Sequence, residues 1–362
     1  MTNGQLRAVI DSLGRLVSLT CYDKRTNSWS KEAIDSHQPA NQFLLYDDVP
    51  LYWDAWDVMD YHLETRKPVM TALQRTMVVD DIGSARVILE FSLKISDQSY
   101  LKQQIFLDAS SPYIGFHTEV SWFENRKFLK VEFPTTVHTT QATYNIQSGF
   151  IHRPNHYNTS WDSARYEVCG HKWADLSEHN FGVALINNCK YGHSAVDGIL
   201  RLSLLRAPKT PDPKADMGVH TFSYAIMPHT GSFQEADVIH MAESFNCPLR
   251  TVSANPADLT KRGVDRGLFV LDTKQVLLQA LKMAEDHSRT IILRLHEAYG
   301  GSTKVKITTR LPLQDVYVCN GLEEQLHDVD RDVQVQFVHE ENQCHFEFSV
   351  TAFQIVSLRC LL

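Results

Sequence analysis

Long apolar runs and an excess of basic residues are both missing from this sequence. No run approaches the roughly 18 apolar residues that cross a bilayer as a helix, and residues 1–14 lack the basic region and unbroken apolar stretch of a signal peptide. Acidic residues outnumber basic ones by 43 to 35, for a formal net charge of -8. Because no basic excess is available to neutralise phosphates, we expect a protein that binds neither nucleic acid nor membranes.

Cysteines are few and scattered. There are seven, an odd number, and no two of them form a C-x-x-C pair. A disulfide framework or a zinc ribbon requires paired, regularly spaced cysteines, so both are disfavoured. The pattern predicts reduced, mostly buried thiols in a cytoplasmic protein.

Several catalytic motifs are absent as well. The sequence has no Walker A loop, no G-x-G-x-x-G and no G-x-S-x-G, and the segment HEAYG at residues 296–300 lacks the second histidine of H-E-x-x-H. Nucleotide binding, α/β-hydrolase chemistry and zinc-metalloprotease chemistry therefore lose support.

Alternating apolar and polar residues dominate the chain. Residues 6–20 read as two short strands joined by a turn at residues 11–14. Further strand-like runs lie at residues 85–95, 101–107, 113–123, 128–137, 181–188, 199–207 and 220–228. Their spacing, with turn signals between them, predicts an antiparallel sandwich. Residues 233–245 fit a short amphipathic helix, and residues 273–289 fit either a helix or a strand.

A polar segment divides the chain into two parts. A length of 362 residues exceeds one ordinary core, and residues 249–267 are polar and weakly periodic, as in a linker or long loop. Strand patterns resume after it. The sequence therefore predicts two mostly β domains, residues 1–248 and residues 268–362.

Residues 48–62, DVPLYWDAWDVMDYH, interleave carboxylates with aromatic rings. Carboxylates accept hydrogen bonds from sugar hydroxyls, and flat rings cover the apolar faces of sugars. Glycoside hydrolysis also needs two carboxyl groups at a defined separation, and Asp54 and Asp57 would share a face on a helix but not on a strand. The alternative is a polar edge or turn whose tryptophans, Trp53 among them, pack into the sandwich.

Residues 152–162, HRPNHYNTSWD, form a second dense stretch around Arg153. The spacing of His152 and His156 can hold a metal on a helix, but Pro154 between them argues against a regular helix. A loop that hydrogen-bonds a polar group is the favoured interpretation.

Residues 202–229 contain the third stretch. A predicted strand ends at Arg206 and a charged loop rich in proline follows. The guanidinium group donates in a fixed fork, which suits an anion or neighbouring hydroxyls. The alternative is an internal ion pair with Asp212 or Asp216.

These three stretches resemble the C-terminal half of the α-mannosidases of glycoside hydrolase family 38, especially the cytosolic (class 2C) type. The resemblance is carried by residues 46–62, 152–192 and 202–233, and the ending FQIVSLRC is similar to the last strand of the family. It implies a galactose-mutarotase-like β-supersandwich followed by a smaller C-terminal β-sandwich.

The resemblance also implies a function. Members of the family are retaining, zinc-dependent exo-α-mannosidases that act on mannose oligosaccharides, and cobalt can substitute for zinc in them. Their nucleophile, acid/base carboxylate and zinc ligands lie upstream, in catalytic and helical domains that this chain does not match. No residue here is therefore expected to be catalytic or to bind metal. The expected partners are the missing domains, a mannose-containing oligosaccharide and a second copy of the chain.

Substrate contact is what the resemblance implies for this region. Arg206 matches a family arginine near the sugar, and Trp53, Asp54, Asp57 and Arg153 are further candidate substrate contacts. Two alternatives remain open. One is a stand-alone carbohydrate-binding or scaffold module without catalysis, and the other is an aldose epimerase, for which only the fold argues.

Overall fold

The computed structural model describes residues 1–82, 85–253, 267–326, 333–340 and 343–362. The chain divides into two compact units. Unit 1 comprises Met1–Ile146 and Phe150–Pro248, and unit 2 comprises Gln147–Gly149 and Leu249–Leu362.

Unit 1 is built almost entirely from strands. In chain order these are β1 (Leu6–Ile10), β2 (Leu16–Asp23), β3 (Ser28–Trp29), β4 (Gln42–Asp47), β5 (Lys67–Pro68), β6 (Thr71–Ile82), β7 (Arg86–Lys94), β8 (Tyr100–Asp108), β9 (Ile114–Trp122), β10 (Lys127–Pro134), β11 (Gln141–Ile146), β12 (Gly149–Pro154), β13 (Val168–Cys169), β14 (Trp173–Ser177), β15 (Phe181–Asn187), β16 (Gly192–Val196), β17 (Ile199–Arg206) and β18 (Gly218–Thr230). The strands predicted between residues 85 and 228 correspond to β7, β8, β9, β10, β15, β17 and β18.

Two large antiparallel sheets enclose the core of unit 1. One has the order β13-β16-β17-β10-β4-β5 and the other the order β12-β11-β14-β15-β18-β9-β8-β7-β6, with a small sheet β1-β2-β3 beside them. Phe133 of β10 contacts Phe116 of β9 and Tyr224 of β18, with ring centroids 6.0 and 5.9 Å apart. The inward residues of both sheets form one apolar cluster, which confirms the predicted supersandwich.

Short helices complete unit 1. They are a 3₁₀ helix at Asp60–Thr65, α1 at Ser160–Ser163 and α2 at Val238–Asn246. The helix predicted over residues 233–245 therefore forms only from Val238 onward. No helix in the ranges given above is long and apolar enough to cross a membrane.

Unit 2 is a smaller sandwich, as predicted. Its strands are β19 (Phe269–Leu271), β20 (Val276–Met283), β21 (Thr290–Glu297), β22 (Thr303–Thr309), β23 (Asp315–Cys319), β24 (Gln336–His339), β25 (Cys344–Val350) and β26 (Ile355–Leu361). They form the sheets β19-β22-β25-β24 and β20-β21-β26-β23, and their inward side chains form a second apolar cluster. The ambiguous residues 273–289 therefore contribute a strand, β20, rather than a helix.

The predicted linker and the cysteines can be placed only in part. Residues 249–253 are irregular and exposed, and residues 254–266 of the predicted linker lie outside the described residues. All seven cysteines are free thiols, four of them buried.

Candidate functional site

The outer face of the six-stranded sheet carries a row of charged side chains. In β10, Leu129, Val131 and Phe133 point into the core, so that Lys130 and Glu132 between them lie on the opposite face. The antiparallel register pairs Glu132 with Arg201 of β17. Strand alternation therefore concentrates charge on one face of this sheet.

Each buried charge on this face has a partner. Glu132 is buried and pairs with Arg66 and with Arg201, whose Nε lies 3.1 Å from its carboxylate. Lys130 is fully buried and pairs with Glu167. Because a buried ion without a partner costs several kcal/mol, these pairs hold the face in one arrangement.

Lys130 sits in an apolar as well as a charged environment. Its ammonium lies 4.4 Å from the centroid of the Phe128 ring. Burial lowers the pKa of Lys130, and the carboxylate of Glu167 opposes that shift. The second oxygen of Glu167 accepts a hydrogen bond from Ser203. The Lys130 ammonium and the Ser203 hydroxyl therefore orient the Glu167 carboxylate.

Arg206 stands at the end of β17, next to this charged face. The Trp122 indole donates to the Arg206 carbonyl at 2.9 Å and fixes the strand end. The Arg206 Nε donates to Asp48 Oδ2 at 2.7 Å, and Asp48 is only 1% exposed. Burial raises the pKa of Asp48, and the ion pair with Arg206 opposes that rise. The ion pair is therefore with Asp48 and not with Asp212 or Asp216, the partners that the alternative named.

The rest of the Arg206 fork holds a loop. Its Nη2 donates to the carbonyls of Asp54 and Asp57 at 2.9 and 2.6 Å, and its Nη1 donates to that of Ala55 at 3.4 Å. The Asp54 side chain turns back and accepts from the Lys209 backbone at 2.7 Å. One arginine therefore joins β17 to residues 48–57 through both charge and backbone hydrogen bonds.

This loop presents two indole rings to solvent. Trp53 and Trp56 are 71% and 70% exposed, and their rings meet edge to face with centroids 6.1 Å apart. Trp53 has a φ of 55°, in the left-handed region that bulky residues seldom adopt. The interpretation in which the tryptophans of this stretch pack into the sandwich is therefore wrong.

A cavity of about 370 Å³ lies beside the loop and is called the Arg206 cavity below. The cavity is lined by apolar, hydroxyl and charged side chains. They include Val58, Phe128, Glu167, Lys190, Ser203, Arg206, Asp216 and His220. Such a mixture of an aromatic wall and a few oriented polar groups can hold a ligand with one apolar face and several hydroxyls.

Arg153 lies among different neighbours. Its guanidinium carbon is 4.8 Å from the centroid of the Tyr144 ring. The nearby histidines also have separate partners, since His152 Nδ1 is 2.9 Å from the Thr143 hydroxyl and His156 Nδ1 is 3.6 Å from Asp162. The structure thus brings Arg206, Trp53, Asp54 and Asp57 together but gives Arg153 another environment.

The described residues do not suit zinc. Within them, no three or more His, Cys, Asp or Glu side chains gather in a way that could hold a metal ion. We therefore derive no step of a reaction through a metal bound to this part of the chain.

Sequence reasoning missed Lys130, Glu132, Glu167 and Arg201. The alternation of residues 128–134 was the available signal, because it places two charged residues on the face opposite the apolar ones. Which strand would lie beside them, and which partners it would bring, depends on a register that the alternation does not specify.

Comparison with known proteins places the chain in a family. Residues 1–214 match the model described as glycosyl hydrolases family 38 C-terminal domain. Residues 275–358 match the model of the family 38 C-terminal beta sandwich domain.

Individual relatives point the same way. The chain is 47% identical to human Alpha-mannosidase 2C1 and 48% identical to the mouse protein of the same name, over 100% of this chain and 33% of each relative. The crystal structure of an alpha-mannosidase from Enterococcus faecalis V583 superposes with a TM-score of 0.72 at 14% identity, over 99% of this chain and 42% of that one. The chain thus spans about a third of the length of the human and mouse relatives.

Proposed function

Because the chain belongs to glycosyl hydrolase family 38 and corresponds to its C-terminal domains, we propose that it is the C-terminal β region of a retaining exo-α-mannosidase. The substrate is an α-mannoside at the end of a free oligosaccharide. The nucleophile, the acid/base carboxylate and the zinc ligands belong to an upstream region, where cobalt can substitute for zinc.

The observation that carries this proposal is the Arg206 cluster. A single guanidinium holds Asp48 and the backbone of residues 54–57. That loop exposes Trp53 and Trp56, and Arg206 itself lines the Arg206 cavity together with Val58, the residue that follows the loop. Exposed indoles offer flat surfaces for the apolar faces of sugars.

Each candidate residue has a defined part in this proposal. Arg206 is a positioning residue, because three of its nitrogens are already engaged with Asp48 and the loop. Trp53 stacks against a sugar ring, and the exposed carboxylate of Asp57 accepts from a hydroxyl. Asp54 braces the loop against Lys209. Arg153 contacts a sugar unit away from this cluster.

The decisive experiment separates this chain from the missing region. Hydrolysis of an aryl α-mannoside is measured for the 362-residue chain alone, with and without zinc or cobalt. It is also measured for a chimera in which the chain replaces the C-terminal third of human Alpha-mannosidase 2C1. We expect no turnover by the chain and metal-dependent turnover by the chimera. Metal-dependent turnover by the chain alone would contradict the proposal and return Asp54, Asp57, His152 and His156 to the catalytic candidates.

The stand-alone carbohydrate-binding module is the weaker candidate. The relatives that match the whole chain are named as α-mannosidases and are about three times as long. The module would be favoured if the chain bound mannose oligosaccharide but its presence in the chimera had no effect on turnover.

Three further proposals accompany this function. Residues 1–248 and 268–362 are separate domains joined by residues 249–267. The protein acts in the cytoplasm, as the resemblance to the cytosolic type and the seven free thiols support. Its partners are the oligosaccharide, the upstream domains and, in the isolated chain, a second copy of itself.

A further inference from the structure

A second cavity lies on the same charged sheet, at the other end of strands β10 and β17. It has a volume of about 700 Å³ and is called the Asn155 cavity below. Its lining includes Asp35, Val137, Asn155 and the turn Asp197–Gly198. Because Arg206 and Gly198 stand at opposite ends of β17, eight residues apart, the two cavities are roughly 25 Å from each other.

The turn that borders the cavity is well defined. Asp197 and Gly198 have φ of 52° and 78°, as in the two-residue turns that join antiparallel strands. Aspartate, asparagine and glycine are the residues that adopt this conformation easily. Thr135 then fixes the turn, because its backbone N–H and its hydroxyl both donate to the Gly198 carbonyl, at 3.0 and 2.7 Å.

Asn155 is the unusual group in this cavity. The residue is only 4% exposed. Its backbone N–H donates to the Thr140 carbonyl at 2.9 Å, and its Nδ2 donates to the Thr139 carbonyl at 3.2 Å. Those bonds orient the amide, and its buried Oδ1 has no hydrogen-bond partner among the residues described. An unsatisfied buried oxygen costs about 1–3 kcal/mol, and Asn155 lines the cavity, so a ligand hydroxyl that reached this oxygen would recover that cost.

The lining suits a ligand rich in hydroxyl donors. The carboxylates of Asp35 and Asp197 add acceptors to the amide oxygen of Asn155, and His138 and His156 can donate. A divalent cation is less well matched, because no three or more His, Cys, Asp or Glu side chains come together as ligands within the described ranges. A neutral sugar unit offers several hydroxyl donors without demanding charge neutralisation.

Tyr157 lies next to the Asn155 cavity in the sequence. It follows His156, a lining residue of that cavity. The side chain is 42% exposed, so it offers an aromatic surface to solvent beside a lining residue of the cavity.

We propose that the Asn155 cavity is a second sugar-binding subsite, which holds a distal unit of the same mannose oligosaccharide whose end lies at the Arg206 cavity. The Asn155 amide oxygen and the carboxylates of Asp35 and Asp197 accept hydrogen bonds from that unit. This subsite rests on the proposed function, since it assumes a mannose oligosaccharide as the substrate. It selects long oligosaccharides over short ones.

Methyl NMR of the full 362-residue chain tests both cavities at once. Val137 lines the Asn155 cavity and Val58 lines the Arg206 cavity, so their methyl signals report each cavity separately. We expect a linear α-linked mannopentaose to shift both signals saturably. Methyl α-mannoside, a single sugar unit, should shift the Val137 signal at least fivefold more weakly.

Two variants make the test specific. Asn155→Ala removes the orphan oxygen, and Asp197→Asn removes a charge while keeping a residue that suits the turn, in case the first variant folds poorly. Each should raise the Kd measured at Val137 about fivefold, the equivalent of one hydrogen bond, and leave the Val58 titration unchanged. Asp97→Asn, which removes an exposed carboxylate elsewhere, is the matched control and should change neither titration.

The outcomes separate the two proposals. A Val58 shift without a Val137 shift would overturn the second subsite and leave the proposed function standing. A Val137 shift without a Val58 shift would support sugar binding at the Asn155 cavity and count against sugar contact at the Arg206 cavity. If neither methyl signal shifts, both proposals are contradicted. A Val137 shift produced by calcium chloride but not by the pentaose would also overturn the subsite.

Discussion

Replacing Arg206 with alanine should destabilise unit 1 substantially. The change leaves the Asp48 carboxylate buried without its cation and removes the hydrogen bonds that hold residues 54–57. Removing one partner of a buried ion pair costs about 3–5 kcal/mol. Arg206 retains some contact with solvent, so we take the lower end, about 3 kcal/mol. For a unit of this size that corresponds to a fall in Tm of roughly 6–12 °C.

The pH dependence of this loss has a defined sign. The pKa of Asp48 is already raised above its ordinary 3.8 by burial, and loss of Arg206 raises it further. A raised carboxyl pKa means that the folded state holds the proton more tightly than the unfolded chain. The resulting stability is fully present below pH 3.8 and is lost as the pH rises through the folded pKa. The Arg206→Ala variant should therefore be more strongly destabilised, relative to the parent, at pH 7 than at pH 4.

Thermal unfolding of matched variants provides the assay. Tryptophan fluorescence follows unit 1, which contains all the tryptophans. Arg206→Lys keeps a cation without the fork and should fall between the parent and Arg206→Ala. Asp48→Asn removes the carboxylate charge, and combined with Arg206→Ala it should recover part of the lost stability. Two results would refute the argument that the Arg206–Asp48 pair holds the loop. One is a loss of less than about 1 kcal/mol in the free energy of unfolding for Arg206→Ala, and the other is a double variant that is no more stable than Arg206→Ala alone.

Three further predictions follow from other parts of the chain. Trp53→Ala and Trp56→Ala should change the free energy of unfolding by no more than about 1 kcal/mol, because the rings are exposed. In the chimera, each should raise the KM for an aryl α-mannoside, and an unchanged KM would count against sugar stacking. Burial lowers the pKa of His193 to about 4, so the free energy of unfolding should fall by roughly 3 kcal/mol as the pH drops from 6.5 towards 4. In urea unfolding, the stability of His193→Leu should depend less steeply on pH than that of the parent. An equally steep dependence would show that another group is responsible. The isolated chain should self-associate, since β6 exposes apolar side chains such as Leu73 and Val78; light scattering that shows a monodisperse monomer would contradict this.

Much of the fold was predictable because alternation is a local property. Sequence and structure agree within one residue on the bounds of β7, β8 and β9, and in β8 the buried positions alternate with more exposed ones along the whole strand. Strand β6 was missed although it spans Thr71–Ile82, because its pairing with β7 shifts register at three places and breaks the period of two. Strand β20 was ambiguous because its apolar residues also fit a helical period, and only its pairing with β21 decides the outcome.

The candidate site was predictable only in its parts. The sequence singled out Arg206 and residues 48–62 as separate stretches, but the ion pair that joins them links residues 158 positions apart. Local reasoning offered Asp212 and Asp216 instead, because they are near in sequence. Lys130 and Glu167 were missed for the same reason, since their pairing depends on a contact across 37 positions that no local pattern encodes.

The left-handed backbone at Trp53 has a consequence for anyone who engineers this protein. A bulky residue at a φ of 55° costs roughly 1–2 kcal/mol that glycine would not cost. A procedure that optimises thermal stability alone would therefore replace Trp53 early, since the exposed ring makes few contacts that such a procedure would count. The gain in melting temperature would come with the loss of one of the two solvent-facing indoles of this loop. Residue 53 should be kept unchanged in any stabilised variant that is used to test the proposed stacking of Trp53 against a sugar ring.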